Sequence, residues 1–464
     1  MLYNGISIPA NIAVHSRHLG VMHTYMAGWG SSSYASPSLT HKEHHAFFAS
    51  AIDSQMPILT KNYQLRMSNQ TFKNAREAKY DEYYTQYYDI EREIEAYLDY
   101  NPNIFRGKTV LLPCDDPDWS NFTRYFAQNF ELLGLKKLIS TSYAPESKKH
   151  KGIYQLSLFE TESPRFDKSK TNTHGKYFVL TDDVTGDGRI DLDDLQWDYL
   201  EGDGDFRSDE VTQLRDEADI IVTNPPFSLY RDFFAWIMEA GKKFILVANK
   251  NCATYKEIFP LIKNNEIWVG VQPMGVDMLF DVTKERAEYL LKNEKEGSKY
   301  RIVNNVVKAR STSCWFTNVE HGRRHQPLDL MTMEDNLRFN KHKDWDEKRS
   351  YYVIDNFDAI NVPFIDAIPK DYPGIMGVPI TFLDKYCPEQ FEIIGITKTW
   401  YDIATKKYPN QIQINKDGKK SIVKKLNDGP AIVLEEAPHN ETYYMIDNTI
   451  YVQEYARILI RKKQ

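Results

Sequence analysis

The stretch Asp219-Ile220-Ile221-Val222-Thr223-Asn224-Pro225-Pro226-Phe227 decides the fold, because a short apolar run leads directly into a rigid turn. A β-branched run of this length, bounded by prolines, predicts a buried strand. Neither proline offers an N–H, and the fixed φ of each holds the loop in one shape. Two interpretations stay open for the turn. The prolines could simply end the strand, with the aromatic ring plugging the loop below, or the turn could carry chemistry.

The turn resembles the active-site tetrapeptide of amino-group methyltransferases, and this resemblance implies the activation of an amino group on a purine ring. Such a nitrogen is a poor nucleophile until hydrogen-bond acceptors pull on its hydrogens. The side-chain carbonyl of Asn224 and the backbone carbonyl of Pro225 are two such acceptors, and Pro226 helps to keep them aimed at one point. Phe227 offers a flat face on which an extruded base could stack. These four residues are the candidate catalytic residues.

The sequence on both sides of the turn predicts an α/β domain with a doubly wound sheet. Strands are predicted at 109–112, 137–141, 176–181, 219–222 and 243–248, and helices at 72–100, 120–133 and 233–240. Gly134 is a predicted helix stop. Ligands of such sheets bind at the carboxyl ends of the strands. The segments 114–117 and 224–227 both follow strands at that edge, so they could meet in one cleft.

Composition limits the class of protein without naming a substrate. The 464 residues are enough for two or three domains, and 42% hydrophobic and 27% charged residues are ordinary for a globular protein. The sequence contains neither a long apolar run nor a signal-peptide pattern, so we expect a cytoplasmic protein that does not enter a membrane. The four cysteines lie far apart in sequence, and no two of them form a Cys-x-x-Cys pair, so we expect neither a zinc cluster nor a disulfide framework. A net charge of −7 means that nucleic acid would have to bind a local basic surface.

The predicted strands and helices do not account for residues 1–72 and 143–175. A third segment, residues 183–194, permits two interpretations. Residues 1–72 contain half of the histidines, without acidic or cysteine partners at ligand spacing, and we interpret them as an accessory extension. Residues 143–175 are polar and rich in turns, which predicts an insertion. The acids of 183–194 fall at positions 1, 5, 9 and 12 of a calcium loop, although an acidic turn that contains glycine is the simpler explanation. We predict no metal site.

Basic and aromatic side chains alternate beyond residue 255. The members of this group are Lys308, Arg310, Trp315, Phe316, Arg323, Arg324 and His325. The cations could bind phosphates, and Trp315 and Phe316 could stack near an extruded base. The alternatives are a charged loop near an ordinary core for the cations and a buried strand for the two aromatic residues.

Several strings in this sequence, in this order, resemble those of the EcoRI-type family of adenine-specific DNA methyltransferases. The resemblance covers about residue 72 to the C-terminus. The strings are Asp81-Glu82-Tyr83-Tyr84-Thr85-Gln86, Asp89-Ile90-Glu91, Cys114-Asp115-Asp116-Pro117, Ser120-Asn121-Phe122, Gly202-Asp203-Gly204-Asp205-Phe206-Arg207-Ser208, Asn224-Pro225-Pro226-Phe227, Thr254-Tyr255-Lys256-Glu257, Trp315-Phe316-Thr317-Asn318 and Gly377-Val378-Pro379-Ile380-Thr381-Phe382-Leu383.

The resemblance implies S-adenosylmethionine as methyl donor and the amino group of adenine in duplex DNA as acceptor. Tyr83 and Thr85 resemble the segment that closes over the methionine end of the donor. Cys114, Asp115 and Asp116 stand where an acid can hold the donor's ammonium or ribose hydroxyls. This string contains no glycine, unlike the glycine-rich loop of many other methyltransferases.

A second donor contact is implied further along the chain. Asp205 and Phe206 resemble the acidic-aromatic pair that contacts the adenine ring of the donor, with Asp205 accepting from its amino group. A plain turn built on Gly202 and Gly204 is the alternative.

The resemblance also implies how the chain is divided and what it meets. We expect a Rossmann-like methyltransferase domain at 73–255, and the remaining sheet elements with a DNA target-recognition region at 256–464. The expected enzyme is a monomer in the cytoplasm, bacterial or phage-encoded and associated with the nucleoid. A separate restriction endonuclease could share its target site without direct contact. The alternatives are methylation of RNA or of protein, or a catalytically silent subunit that only binds nucleic acid.

Overall fold

The computed structural model describes residues 84–115, 120–144, 165–342 and 350–463. All of them belong to Asn69–Gln464, the larger of the two units into which the chain divides. The helices within these ranges are α1 (Tyr87–Tyr100), α2 (Asn121–Gln128), α3 (Phe130–Leu133), α4 (Asp209–Glu217), α5 (Tyr230–Glu239), α6 (Phe259–Lys263), α7 (Lys284–Asn293) and α8 (Met333–Phe339).

The strands form three sheets. The first twelve strands are β1 (Tyr84–Thr85), β2 (Thr109–Leu112), β3 (Lys137–Ser142), β4 (Lys176–Leu180), β5 (Gln196–Tyr199), β6 (Ile220–Thr223), β7 (Lys243–Asn249), β8 (Trp268–Val269), β9 (Met278–Asp281), β10 (Tyr300–Val303), β11 (Val306–Ser311) and β12 (Ser313–Thr317). The last ten are β13 (Val353–Ile354), β14 (Ala359–Asn361), β15 (Met376–Pro379), β16 (Phe391–Ile396), β17 (Gln411–Ile414), β18 (Lys420–Val423), β19 (Ala431–Leu434), β20 (Tyr443–Ile446), β21 (Thr449–Gln453) and β22 (Arg457–Lys462).

The central sheet has the strand order β5-β4-β3-β2-β6-β7-β12-β8, and the predicted mixed α/β class is confirmed. β3, β2, β6 and β7 are parallel neighbours in its middle. From β2 the chain moves outward to β3 and later returns to β6 on the opposite side of β2, so the strand order reverses between β2 and β6. Ligands of open α/β sheets bind at such a reversal.

The sheet departs from a wholly parallel arrangement at both ends. β4 is antiparallel to β3 and to β5, and β12 is antiparallel to β7 and to β8. A parallel neighbour requires a long crossover, usually a helix, whereas an antiparallel neighbour does not. Residues 145–164, in the middle of the predicted insertion before β4, lie outside the described residues.

Both faces of the central sheet are buried, as the continuous apolar runs predict. Side chains alternate between the two faces, and all four residues of β2 are buried. Val110 and Ile220 pack with Phe122 on one face. Leu111 and Ile221 belong to the core on the other. Each fully buried aliphatic or Phe side chain stabilises the fold by roughly 1.5–3 kcal/mol.

Local signals fix the elements that follow β2. The Ser120 side chain caps α2 by accepting a hydrogen bond from the Phe122 N–H at 3.0 Å. The predicted helix at 120–133 is divided at Asn129 into α2 and α3. Gly134 ends α3 with φ of 64°, which confirms the predicted helix stop, because this left-handed conformation favours glycine.

The other two sheets are built largely from residues beyond 255. β1, β9, β11 and β10 form a four-stranded sheet in that order. The ten strands from β13 to β22 form the third sheet, in the order β16-β22-β15-β14-β13-β19-β21-β20-β17-β18. Met376, Phe391 and Ile458 of this sheet share the core that contains Leu111 and Ile221. The third sheet therefore packs on the central one.

Candidate active site

The loops after β2 and β6 meet at the carboxyl edge of the central sheet. The two strands are parallel, with Val110 opposite Ile220. The Thr223 hydroxyl, at the end of β6, donates to Oδ2 of Asp115 at 2.6 Å. The two loops that the sequence places at one edge of the sheet are therefore linked directly by a hydrogen bond.

Asp115 is held by hydrogen-bond partners from three elements. Its carboxylate accepts the Ser120 hydroxyl on Oδ1 at 2.7 Å, in addition to the Thr223 hydroxyl on Oδ2. Its backbone N–H donates to the Thr141 carbonyl at 3.0 Å, and its carbonyl accepts from Thr123 Oγ1 at 3.0 Å. Only 5% of the residue is exposed. Asp115 thus connects β2, β3, α2 and β6 at one point.

Cys114 lies next to this network with its thiol protonated. Burial raises the thiol pKa well above its ordinary value, and the negative charges of Asp115 and Asp205 raise it further. The thiol therefore has little nucleophilic thiolate at neutral pH. The segment around 205 reaches the same edge of the sheet through a backbone contact just after β3.

The glycine-containing string 202–206 packs against the end of β3. Gly204 has φ of +84°, and a Cβ at this position would stand 2.4 Å from the carbonyl oxygen of Ser142. The Asp203 carbonyl accepts from the Ala144 N–H at 2.8 Å. Only glycine permits both this backbone conformation and this close approach.

Asp205 and Phe206 point to different surroundings. The Asp205 carboxylate accepts two hydrogen bonds from the Arg207 guanidinium, at 2.9 and 2.6 Å, and these lower its pKa. Phe206 is 5% exposed, and its ring packs against Phe233 and Trp236 of α5 with centroid distances of 5.0 and 5.6 Å. Asp205 therefore stays ionised at the edge of the site, while the Phe206 ring belongs mainly to the core.

The segment before α1 reaches the site from the four-stranded sheet. Thr85 is 3% exposed, and its carbonyl accepts from Asn121 Nδ2 at 2.8 Å, at the start of α2. Its cross-strand partner is Phe280, whose ring lies edge-on to Phe227 with 6.5 Å between centroids. Tyr83 and Asp116, the other two candidates of these strings, lie outside the described residues.

The turn at 224–227 leads directly into a helix. Pro225 is buried, whereas Asn224, Pro226 and Phe227 are partly exposed. Pro226 has φ of −56° and ψ of 121°, and its carbonyl accepts from the Leu229 N–H at 3.0 Å. The turn is thus fixed at one end by α5 and at the other by the Thr223–Asp115 hydrogen bond.

Comparison with known proteins identifies the family to which this chain belongs. The profile of the family described as "Adenine-specific methyltransferase EcoRI" matches residues 71–463. The chain belongs to this family. Among curated proteins it is 39% identical over 333 residues to the type II methyltransferase M.EcoRI of Escherichia coli, a match covering 71% of this chain and 90% of that protein.

Two mycoplasma proteins support the same assignment. The chain is 34% identical to the type II methyltransferase M.MpnI of Mycoplasma pneumoniae, over 70% of this chain and 84% of that protein. It is 31% identical to the type II methyltransferase M.MgeORF184P of Mycoplasma genitalium, over 70% of this chain and 85% of that protein. No solved structure gives a significant match. The chain is accordingly a DNA methyltransferase of the EcoRI family, as the resemblance predicted.

Thr223 is the residue at this EcoRI-family site that the sequence did not single out. The sequence predicts a strand that ends at Val222, and Thr223 is only the last residue of the run before the turn. A hydroxyl at a buried strand end needs a hydrogen-bond partner, and this requirement is the signal that could have identified it. Ser120 and Asn121 belong to one of the family strings, but the sequence assigns neither of them a role.

The two aromatic candidates for base stacking lie inside the fold. Trp315 and Phe316 belong to β12 and are both 0% exposed, as in the buried-strand alternative. Val247 and Leu246 of β7 are their cross-strand partners. A base could reach either ring only if the sheet opened.

The four candidate cations have partners within the protein. Arg310 pairs with Asp277 at 2.8 Å, and Lys308 pairs with Asp281. Arg323 donates to the carbonyl of Val271. Arg324 is 9% exposed and lies over the Trp268 ring, 3.9 Å from its centroid. Of the four, Lys308 and Arg310 belong to β11, and Lys308 lies nearer the exposed turn between β10 and β11.

The acidic loop at 183–194 turns its end carboxylates toward its own backbone. Asp194 accepts from the N–H groups of Val184 and Thr185, both at 2.8 Å, and Asp183 accepts from that of Gly186 at 2.6 Å. Within the described ranges, no group of three or more His, Cys, Asp or Glu side chains could hold a metal ion. None of the helices in those ranges is long and apolar enough to cross a membrane.

Proposed function

We propose that the enzyme transfers the methyl group of S-adenosylmethionine to N6 of an adenine in double-stranded DNA, after extruding that base from the helix. The observation that carries the proposal is the hydrogen bond from Thr223 to Asp115. It joins the turn that would activate the acceptor to the loop that would hold the donor. The family description and the names of the relatives support adenine and DNA as the acceptor.

In this proposal the central sheet is a Rossmann-like domain formed mainly by residues 73–255. The reversal of strand order between β2 and β6 supports this assignment. Residues 256–464 complete the sheet and contribute the target-recognition region. We further propose a monomeric enzyme that acts on nucleoid DNA in the cytoplasm. An endonuclease with the same target would need no contact with it.

The residues at the sheet edge suit the chemistry of this donor. S-adenosylmethionine carries a sulfonium and an ammonium, and it supplies an electrophilic methyl group when bound. Asp115 and Asp205 bring two carboxylates to the surroundings of Cys114, which favours a cationic ligand. Asp205 would accept a hydrogen bond from the donor's adenine amino group, and the Phe206 ring would support this part of the site from the core. Thr85 would lie at the methionine end.

The turn at 224–227 would polarise the acceptor amino group. The Asn224 side-chain carbonyl and the Pro225 carbonyl would each accept a hydrogen bond from one amino hydrogen, which restores the lone pair on nitrogen. The new N–C bond would form as the C–S bond of the sulfonium breaks to leave a neutral thioether, and one amino proton would leave after the transfer. Phe227 would stack on the extruded ring. The two prolines keep both acceptors in place before the base arrives, so catalysis depends on positioning rather than on a metal or a covalent intermediate.

The test is methyl transfer from labelled S-adenosylmethionine to unmethylated plasmid DNA, followed by nucleoside mass spectrometry. Wild type should produce N6-methyladenine, and Asn224→Ala should be at least ~100-fold slower. Asn264→Ala, at an exposed asparagine, serves as control and should equal wild type. Label in RNA or protein instead of DNA would overturn the proposed acceptor. Failure to bind the donor at all would indicate a silent nucleic-acid-binding protein.

A further inference from the structure

An exposed hairpin stands beside the candidate catalytic turn. β10 and β11 pair from Tyr300 opposite Ala309 to Val303 opposite Val306, and Asn304-Asn305 closes the turn. Both asparagines have positive φ, 50° and 62°, as in a two-residue type I′ turn. Every residue from 301 to 306 is exposed. The hairpin tip therefore projects from the four-stranded sheet with a defined backbone shape.

Apolar side chains flank the two asparagines of the turn, and cations follow them along both strands. Ile302, Val303 and Val306 are 45%, 39% and 51% exposed. Side chains alternate along a strand, so the pair behind Val303 and Val306 on the same face is Arg301 and Lys308. This cation pair lies ~7 Å behind the valines, two residues along each strand. Neighbouring exposed apolar side chains of this kind indicate an interaction site, whereas a single exposed valine would not.

The hairpin is anchored close to the turn that would bind the base. Ala309 of β11 is the cross-strand partner of Phe280 of β9. The Phe280 ring lies 6.5 Å from the ring of Phe227. The ion pair between Lys308 and Asp281 also ties β11 to β9. From Ala309 the strand extends about four residues to the turn, a reach of ~13 Å.

We propose that the β10–β11 tip enters the duplex at the target adenine and occupies the space left by the extruded base, with Arg301 near the flanking phosphates. This inference rests on the proposed function and specifies how the enzyme meets DNA. The major groove, ~12 Å wide and ~8.5 Å deep, admits a two-stranded ribbon, and a reach of ~13 Å exceeds its depth. Apolar side chains inserted at a base step hold it unstacked.

The experiment compares wild type with Val303→Ala/Val306→Ala and with Val303→Thr/Val306→Thr, which keeps the β-branched shape. The methylated sequence is first mapped on plasmid DNA. Duplexes with 2-aminopurine at the target adenine then report extrusion by fluorescence, and unmodified duplexes report the methylation rate. Both variants should methylate at least about tenfold more slowly than wild type, with a smaller fluorescence increase. S-adenosylmethionine binding should be unchanged.

The control is Leu132→Ala/Val184→Ala. Both side chains are apolar and exposed, 75% and 56% respectively. Leu132 lies in α3, just before β3 begins, and Val184 lies in the acidic loop at 183–194. Both positions lie outside the hairpin and outside residues 256–464, so this variant should equal wild type in both assays.

A mismatch opposite the target adenine separates a wedge from a merely structural hairpin. Such a base is already poorly stacked, so the valine variants should methylate it within about threefold of wild type. An equal loss on matched and mismatched duplexes would overturn the proposal. So would an unchanged rate on matched DNA, which leaves the proposed function intact, or a wild-type dimer that the valine variants dissociate. No methyl transfer to DNA by wild type would overturn both proposals.

Discussion

Thr223 donates its hydroxyl hydrogen to Oδ2 of Asp115 over 2.6 Å, and this bond joins two loops that are 108 residues apart in sequence. Thr223 ends β6 and directly precedes Asn224, whereas Asp115 follows β2. Thr223 is fully buried and Asp115 nearly so, so water does not compete for the bond. The position of the Asn224 turn is thereby fixed relative to the loop of Cys114.

Thr223→Val removes the hydroxyl while preserving the branched shape. The free energy of unfolding should fall by ~1–3 kcal/mol, because a buried carboxylate oxygen loses its donor. The catalytic constant should fall about tenfold or more, because small displacements of positioned groups are costly. Urea unfolding and steady-state methylation measure the two effects. Thr223→Ser restores the hydroxyl and should restore most of the activity.

The control for this substitution is Thr317→Val. Thr317 is another buried strand-end threonine, and its hydroxyl donates to the Phe244 carbonyl at 2.7 Å. Its loss should also destabilise the protein, yet leave the catalytic constant unchanged where the protein is folded. A normal catalytic constant in Thr223→Val would contradict the positioning role of the Thr223–Asp115 bond.

Gly204→Ala should weaken S-adenosylmethionine binding about tenfold or more and lower the melting temperature. The added Cβ would meet the Ser142 carbonyl oxygen at 2.4 Å, so the 202–206 loop must move away from β3. Gly188→Ala is a close control, because Gly188 has the same φ of +84° and no heavy atom within 4 Å. Calorimetric titration of the donor measures the difference. Equal affinities in the two variants would argue against a donor site at this loop.

Local patterns were sufficient for the strands and loops around the site. The apolar runs of β2 and β6, the cap at Ser120 and the stop at Gly134 each depend on a few neighbouring residues. The rule that parallel strands place their carboxyl ends together then brought Cys114–Asp115 to the turn of Asn224. The hydrogen bond of the Thr223 hydroxyl could not be predicted in this way, because its partner, Asp115, lies far away in sequence.

Features that depend on distant pairing could not be predicted from local sequence. Trp315 and Phe316 suit either a stacking surface or a buried strand, and only the pairing of β12 with β7 decides between them. The surroundings of the nearby cations also depend on residues distant in sequence, since Arg310 pairs with Asp277 and Arg324 lies over Trp268. Most strands of the ten-stranded sheet are two to five residues long, too short to show a clear alternation.

Asp205→Asn should raise the dissociation constant for S-adenosylmethionine about tenfold, because a charged acceptor becomes a neutral one. The hydrogen bonds from Arg207 lower the pKa of Asp205, so the carboxylate is ionised at neutral pH. Glu392→Gln provides the control, since Glu392 pairs with Arg461 at 3.0 Å on β16 and β22, outside the site. Unchanged donor affinity in Asp205→Asn would place the donor's adenine elsewhere.

Glu93 should make the protein less stable as the pH rises. Burial raises its pKa from 4.5 to about 7, despite hydrogen bonds from Val271, Tyr97 and Gln272. Between pH 4.5 and about 7 the Glu93 carboxyl holds its proton in the folded state but loses it in the unfolded state. The free energy of unfolding should therefore fall as pH rises from about 4.5 past 7, by roughly 3 kcal/mol at ~1.36 kcal/mol per pH unit.

Glu93→Gln remains neutral and should lose this pH dependence. Urea unfolding of wild type and variant at several pH values from 5 to 8 isolates the contribution, since other titrating groups are common to both proteins. The variant should gain stability relative to wild type as the pH rises. Glu95→Gln, at an exposed position of the same helix α1, is the control. A stability difference between wild type and Glu93→Gln that stays constant with pH would show that Glu93 does not take up its proton on folding.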